Sequence, residues 1–183
     1  MAGQKRIALI NDVTGFGRCS VTVQLPVISA MRVQACPLPT AILSVHTGFP
    51  HHYLDNYTER MRPYMENWQE NGLTFDAILT GFLGSEAQID VVLECIARFK
   101  ARETILVVDP VMGDNGRLYS SYTPALCAKM RRLIPYADVV TPNLTEACQL
   151  LGIPYPEDGQ ADDGTLYRMA ADIAAMGPRD VVI

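Results

Sequence analysis

Short apolar runs alternate with stretches of helical spacing along the whole chain. Ile7 to Ile10 is an apolar run that ends at Asn11-Asp12, and after Gly15 and Gly17 a helical pattern runs from Ser20 to about Met31. Gln34 to Leu38 and Ala41 to Val45 read as two extended segments divided by Pro37 and Pro39. Prolines cannot donate to a ladder, which predicts edge positions for them. From Leu54 to Glu70 the residues Leu54, Tyr57, Met61, Tyr64, Met65 and Trp68 recur every three or four positions, an amphipathic helix with a core-facing stripe. Pro63 predicts a kink in it, and Asn71-Gly72 its end.

The second half repeats the alternation. Ala77 to Leu79 is a strand, and Ser85 and Gln88 form a capping pair at the start of a helix that runs to about Lys100. Ile105 to Asp109 reads as a parallel strand buried on both faces, stopped by Pro110, which holds Asp109 extended. A loop of about a dozen residues to Tyr122 follows, in which Gly113 and Asn115-Gly116 allow tight turning. Helices are expected at Pro124 to about Leu133, Leu144 to Leu151 and Leu166 to Met176, and strands at Val139 to Thr141 and Asp180 to Ile183. This order predicts an α/β fold, a mainly parallel sheet with helices on both faces joined by right-handed crossovers. In such sheets ligands bind beyond the carboxyl ends of the strands, where Asn11, Asp109 and Thr141 fall.

Composition narrows the class. The chain has 183 residues, 49% of them hydrophobic, enough to bury roughly 70% of its unfolded surface in one core. A net charge of −5, with no basic run longer than Arg131-Arg132, argues against a nucleic-acid partner. No apolar stretch approaches a membrane span and MAGQKR leads straight into a strand, so a cytoplasmic protein is expected. Five widely spaced cysteines without a C-x-x-C pair fit reduced thiols.

Several motifs admit two readings. Gly15-x-Gly17-x-x-Ser20 resembles a dinucleotide fingerprint, yet no Asp or Glu lies between Asp12 and Asp55 to bind a ribose, and there is no P-loop. Asn143-Leu-Thr-Glu146 after Pro142 is a capping box by itself. It is equally a carboxylate and an amide at a helix N-terminus, suited to phosphate oxygens and Mg²⁺-bound water. His46, His51 and His52 do not have the spacing of a metal site, and Phe82 between two glycines serves either packing or stacking.

Taken together, Asn11-Asp-Val-Thr-Gly-Phe-Gly17, Pro39-Thr-Ala-Ile-Leu-Ser-Val-His46-Thr47-Gly48, Gly81-Phe-Leu-Gly84, Asp109-Pro-Val-Met-Gly-Asp114 and Thr141-Pro-Asn143-Leu-Thr-Glu146 carry a resemblance along nearly the whole chain. The sequence is similar to the pyridoxal kinase branch of the ribokinase-like superfamily, whose members are related to hydroxymethylpyrimidine kinase. The resemblance implies a transferase that uses ATP and Mg²⁺ to phosphorylate the 5′-hydroxymethyl group of a B6 vitamer, pyridoxal, pyridoxamine or pyridoxine, and that works as a homodimer paired through the Gln34 to Val45 region. By position, Asn11, Thr47 and Phe82 would line the pyridine pocket with Asp12, Val13 and His46 as neighbours. Asp109 and Glu146 would organise Mg²⁺, while Gly113, Asp114, Thr141, Asn143 and Glu146 would serve the nucleotide.

Two departures from the family pattern stand out. Asn11 replaces a Ser and Phe82 a Tyr, which leaves the vitamer, or a pyrimidine in its place, open. The family's Gly-x-Gly-Asp block, whose Asp is the general base, has no counterpart in these residues. The expectation is therefore a single ribokinase-like domain, residues 1–183, incomplete at its C-terminal end, a vitamer-binding fragment if taken alone.

Overall fold

The computed structural model describes residues 3–183. The chain divides into two compact units, one ending at Ile105 and the other beginning at Leu106.

The first unit contains β1 (Arg6–Phe16), α1 (Ser20–Ala30), β2 (Gln34–Val45), β3 (Leu54–Asn56), α2 (Thr58–Glu70), β4 (Ala77–Thr80) and α3 (Glu86–Phe99). Its strands are ordered β3-β2-β1-β4. β1 is parallel to both β2 and β4, and only β3 runs antiparallel. Leu9, Ile10, Leu38 and Ile78 from the strands, Met61 and Met65 from α2, and Ile89 and Val92 from α3 are fully buried. Val21 and Ile28 of α1 pack on Leu9, while Val23, Leu25 and Val27 of the same helix stay exposed.

Here the strands are longer than the hydrophobic runs. β1 continues through Asn11-Asp12 to Phe16, because β2 pairs with it along its whole length, from Arg6 opposite Gln34 to Phe16 opposite Val45. β2 is likewise one strand rather than two, its extra residue absorbed by a shift in register between Asn11 and Val13. The prolines fit because they lie where β2 has β1 as its strand neighbour, β3 reaching only Ala41 to Leu43. Gln34 N–H donates to the Lys5 carbonyl of the neighbouring chain segment. Alternation along a strand then turns the nitrogens of Pro37 and Pro39 away from β1.

The helix expected from Leu54 begins at Thr58 instead. Leu54 to Asn56 pair with Ala41 to Leu43, and the Asn56 side chain accepts from Thr58 N–H at 2.9 Å, which starts the helix one turn late. The helix runs on through Pro63. Trp68 packs on Phe75 and Phe99 as a core residue, but Tyr64, expected in the same stripe, is exposed and only edges Trp68.

The second unit contains the rest of β5 (Ile105–Val108), then β6 (Gly113–Asp114), β7 (Arg117–Leu118), α4 (Pro124–Met130), a 3-10 helix (Arg131–Tyr136), β8 (Val139–Val140), α5 (Leu144–Leu151), α6 (Asp163–Ala174) and β9 (Asp180–Val181). β8 is parallel to both β5 and β9. β5 is not buried on both faces: Leu106 and Val108 are inaccessible, Val107 is half-buried and Ile105 is exposed. The expected structureless loop holds the β6–β7 hairpin, turned by Asn115 and Gly116 with φ of 50° and 75°. Both units are thus α/β with mainly parallel strands, as the sequence predicts.

Candidate active site

In the first unit Asn11, Asp12 and Val13 lie inside β1, just past the Ile10–Thr80 pair where β4 ends and Gly81-Phe82 begins, while His46 and Thr47 follow the end of β2, where Val45 lies opposite Phe16. The loop from Gly81 to Gly84 is held by side chains from three elements. Asn11 Oδ1 accepts from Phe82 N–H at 2.8 Å, and the Thr40 hydroxyl donates to the Phe82 carbonyl at 2.8 Å. Gln88 Oε1 accepts from Gly84 N–H at 2.7 Å, while its Nε2 donates to the Thr40 carbonyl at 2.7 Å and the Thr58 hydroxyl at 2.9 Å. Gln88 is fully buried, so it is a polar post inside the core with its amide satisfied on both sides. The capping pair therefore closes only halfway: Ser85 Oγ accepts from Gln88 N–H at 3.4 Å, but the Gln88 side chain holds the loop instead.

Asn11 and Asp12 are buried, with the Asp12 carboxylate accepting from the Thr14 hydroxyl at 2.6 Å. Val13 and Thr47 are half-buried and His46 is exposed. The imidazole of His46 is packed between glycines: a Cβ on Gly17 would lie 2.9 Å from its Cδ2, and one on Gly48 2.9 Å from its Nδ1. Gly48 N–H donates to Nδ1 at 3.1 Å, so a neutral ring carries its proton on Nε2. The Gly-Phe-Gly stretch thus makes room for a side chain of its own unit, and Gly15 packs against the Ser44 carbonyl of β2.

In the second unit the expected phosphate-site residues fall on Asp109, the hairpin and the first turn of α5. Asn143 and Glu146 do form a reciprocal capping box: Asn143 Oδ1 accepts from Glu146 N–H at 3.0 Å and Glu146 Oε2 from Asn143 N–H at 2.9 Å. Capping does not exhaust either side chain. Glu146 Oε1 accepts from Met112 N–H at 3.1 Å, and Asn143 Nδ2 donates to the Gly113 carbonyl at 2.8 Å. Thr145, buried beside them, accepts from Gly116 N–H at 2.9 Å. Gly113 is required at its place, since a Cβ would overlap the Arg117 carbonyl across the hairpin. Asp114 is exposed and its carboxylate accepts from the Asn115 backbone and amide, at 2.8 and 3.1 Å. Thr141 is half-buried and its N–H donates to the Val108 carbonyl at 3.1 Å.

The two acids are electrically close. Burial pushes the Glu146 carboxyl up to about 7 against the lowering effect of three backbone N–H groups, and the Asp109 charge raises it further. Burial alone pushes Asp109 up to about 6. Tyr119, which the sequence did not single out, is raised by burial and then by Glu146, Asp114 and Asp109, so its phenol stands near all three. The sequence offers Gln88 only as half of a capping pair and gives Thr40 and Thr145 no role of their own; their partners, the Phe82 carbonyl for Thr40, the Thr40 carbonyl for Gln88 and Gly116 N–H for Thr145, lie far along the chain.

Among the described residues no group of three His, Cys, Asp or Glu side chains is placed to hold a metal ion. The donor set still suits Mg²⁺, which keeps most of its water and takes one or two carboxylates together with phosphate oxygens. Buried Glu146 and half-buried Asp109, both raised by burial and both better ionised beside a cation, are such a set.

The family model for phosphomethylpyrimidine kinase matches residues 21–183. A pyridoxal kinase of Arabidopsis thaliana is 33% identical over 155 residues, which cover 80% of this chain and 47% of that protein. The crystal structure of a candidate phosphomethylpyrimidine kinase from Bacteroides thetaiotaomicron, crystallised with pyridoxal, is 42% identical with a TM-score of 0.94 over 98% of this chain and 62% of that one. The pyridoxal kinase of Lactobacillus plantarum is 31% identical with a TM-score of 0.84, over 95% of this chain and 60% of that one. The chain thus spans less than two thirds of the length of each of these proteins. Sequence and fold together place the chain in the phosphomethylpyrimidine kinase family of the ribokinase-like superfamily.

Proposed function

We propose that this chain serves an ATP-dependent kinase that phosphorylates the 5′-hydroxymethyl group of pyridoxal, pyridoxamine or pyridoxine. The observation that carries this reading is the pair of raised carboxyls, Asp109 and Glu146, set beside a hairpin whose backbone is tied to the N-terminus of α5. Phosphoryl transfer needs charge neutralisation and positioning more than covalent chemistry. Mg²⁺ bound through Asp109 and Glu146, directly or through water, would neutralise charge on the transferred phosphate. Gly113, Asp114, Thr141 and Asn143 would then face the nucleotide.

In the first unit Asn11, Thr47 and Phe82 would border the pyridine ring, with Asp12, Val13 and His46 around them. The Phe82 ring offers an apolar face and Thr47 a hydroxyl, the mixture that a polar aromatic ring needs. The pyridoxal-bound structure at 42% identity supports a B6 vitamer. The general base is assigned to none of these residues, because no Gly-x-Gly-Asp sequence occurs among them. A cytoplasmic homodimer belongs to the same reading; the free state of all five cysteines supports a reducing compartment. No described helix is long and apolar enough to cross a membrane.

The family match itself favours one alternative, phosphorylation of a hydroxymethylpyrimidine. The test is Mg²⁺- and ATP-dependent phosphorylation by the native protein, with pyridoxal and hydroxymethylpyrimidine compared at equal concentration. Preferential formation of pyridoxal 5′-phosphate is expected, and transfer to the pyrimidine alone would select the alternative.

A further inference from the structure

The amide of Asn11 has one orientation open to it. Its Oδ1 accepts two backbone N–H groups, from Asp12 at 2.9 Å and Phe82 at 2.8 Å, so the oxygen must face both donors. The NH₂ end then points at α1, where Gln24 Oε1 accepts it at 3.0 Å. Space is as restrictive as polarity. Asn11 is 5% exposed, and Gly81 lies flat against its amide, where any Cβ would overlap Nδ2.

Buried amide nitrogens without an acceptor are costly, and a reversed amide would set NH₂ against two N–H donors. The two backbone donors set against the second, and Gln24 removes the first by giving Nδ2 its acceptor. It stands on α1 and is linked to Phe82 through Asn11.

We propose that Gln24 is a positioning residue for the substrate ring: by accepting from Asn11 Nδ2 it keeps Asn11 Oδ1 on the Phe82 amide, and so fixes where the Phe82 side chain meets the substrate. The last link rests on the proposed function. The orientation of Asn11 does not.

The chemistry needed at position 24 is an acceptor, which three substitutions in the native protein separate. Gln24→Glu keeps an acceptor, Gln24→Leu removes it, and Gln24→Lys puts a cationic donor in its place. Amide hydrogen exchange at Phe82 is the substrate-independent readout, with Gly84 as the control, since its N–H is held by Gln88 at 2.7 Å and not by Asn11.

The Leu and Lys variants are expected to exchange Phe82 about tenfold faster with Gly84 unchanged, and to raise KM for pyridoxal about tenfold at constant KM for ATP. Gln24→Glu should restore both. Unchanged Phe82 exchange in Gln24→Leu, or an equal rise at Gly84, would overturn the positioning role. Faster Phe82 exchange without a change in pyridoxal KM would overturn its link to substrate. Wild-type protein that neither binds nor phosphorylates pyridoxal would sink the functional reading, while the exchange rates would still decide the role of Gln24.

Discussion

Asn143 caps α5 and, through the other end of the same amide, holds Gly113: its Nδ2 donates to the Gly113 carbonyl at 2.8 Å while its Oδ1 accepts from Glu146 N–H at 3.0 Å. Helix initiation and hairpin placement are therefore one structural event in the second unit.

The two roles separate by mutation. Asn143→Ser retains a capping oxygen but is too short to hold Gly113, so stability should fall by only a few tenths of a kcal/mol while amides of the β6–β7 hairpin exchange faster. Asn143→Ala loses both and should cost about 1 kcal/mol. Thermal unfolding together with hydrogen exchange checks this; equal exchange in the hairpin of the Ser variant would mean that the Gly113 contact is unimportant.

Glu146 and Asp109 set a pH dependence with a definite sign. An acid whose folded pKa is raised binds its proton more tightly in the folded than in the unfolded chain, so stability falls as pH rises. For Glu146 the contribution is fully present below its ordinary value of 4.5 and lost as pH rises through about 7. For Asp109 the corresponding window runs from 3.8 to about 6. Melting temperatures without Mg²⁺ should therefore decline between about pH 4 and pH 7, and Glu146→Gln should flatten the decline. If these acids take Mg²⁺, the stabilisation it gives should grow over the same range, because ionised carboxylates are its ligands. A Mg²⁺ effect independent of pH would remove them from that role.

Gly81→Ala should be among the more damaging small substitutions in the first unit. The added methyl displaces the Asn11 amide and with it the acceptor for Phe82 N–H. Overpacking and a lost buried hydrogen bond together predict about 2 to 4 kcal/mol, read from denaturant unfolding. A cost below 0.5 kcal/mol would show that the amide moves aside freely.

For the substrate side, Thr47→Val should weaken pyridoxal binding by about 1 to 3 kcal/mol, the worth of a hydrogen bond with a buried partner left unpaired. Calorimetric titration of vitamer and nucleotide separately is the measurement. Equal losses of both affinities would mean that Thr47 acts through folding.

What could be read from the chain depended on how local each signal was. α5 begins and ends where the sequence places it, because Asn143, Glu146 and Gly152 are adjacent to the turns they control, Gly152 with φ of 69°. The pattern places β3 in a helix because Leu54 falls in register with Tyr57 and Met61, whereas its strand state comes from pairing with Ala41 to Leu43. The continuation of β1 past Asp12 has the same origin in β2. At the site, Asn11 and Glu146 were recognisable as residue types at strand and helix ends. The partners of Asn11 were not: Gln24 meets it from one stretch and Gly81-Phe82 from another, and no spacing rule connects them.

The prolines of β2 bear on what could join this margin of the first unit. With the nitrogens of Pro37 and Pro39 facing away from β1, a strand laid alongside would find two donors missing from its ladder. Main-chain extension of the sheet, the route by which exposed margins seed aggregates, is blocked there. A second copy approaching this margin would have to bind by its side chains, and Pro39→Val, which restores a donor, should make the protein more prone to aggregate.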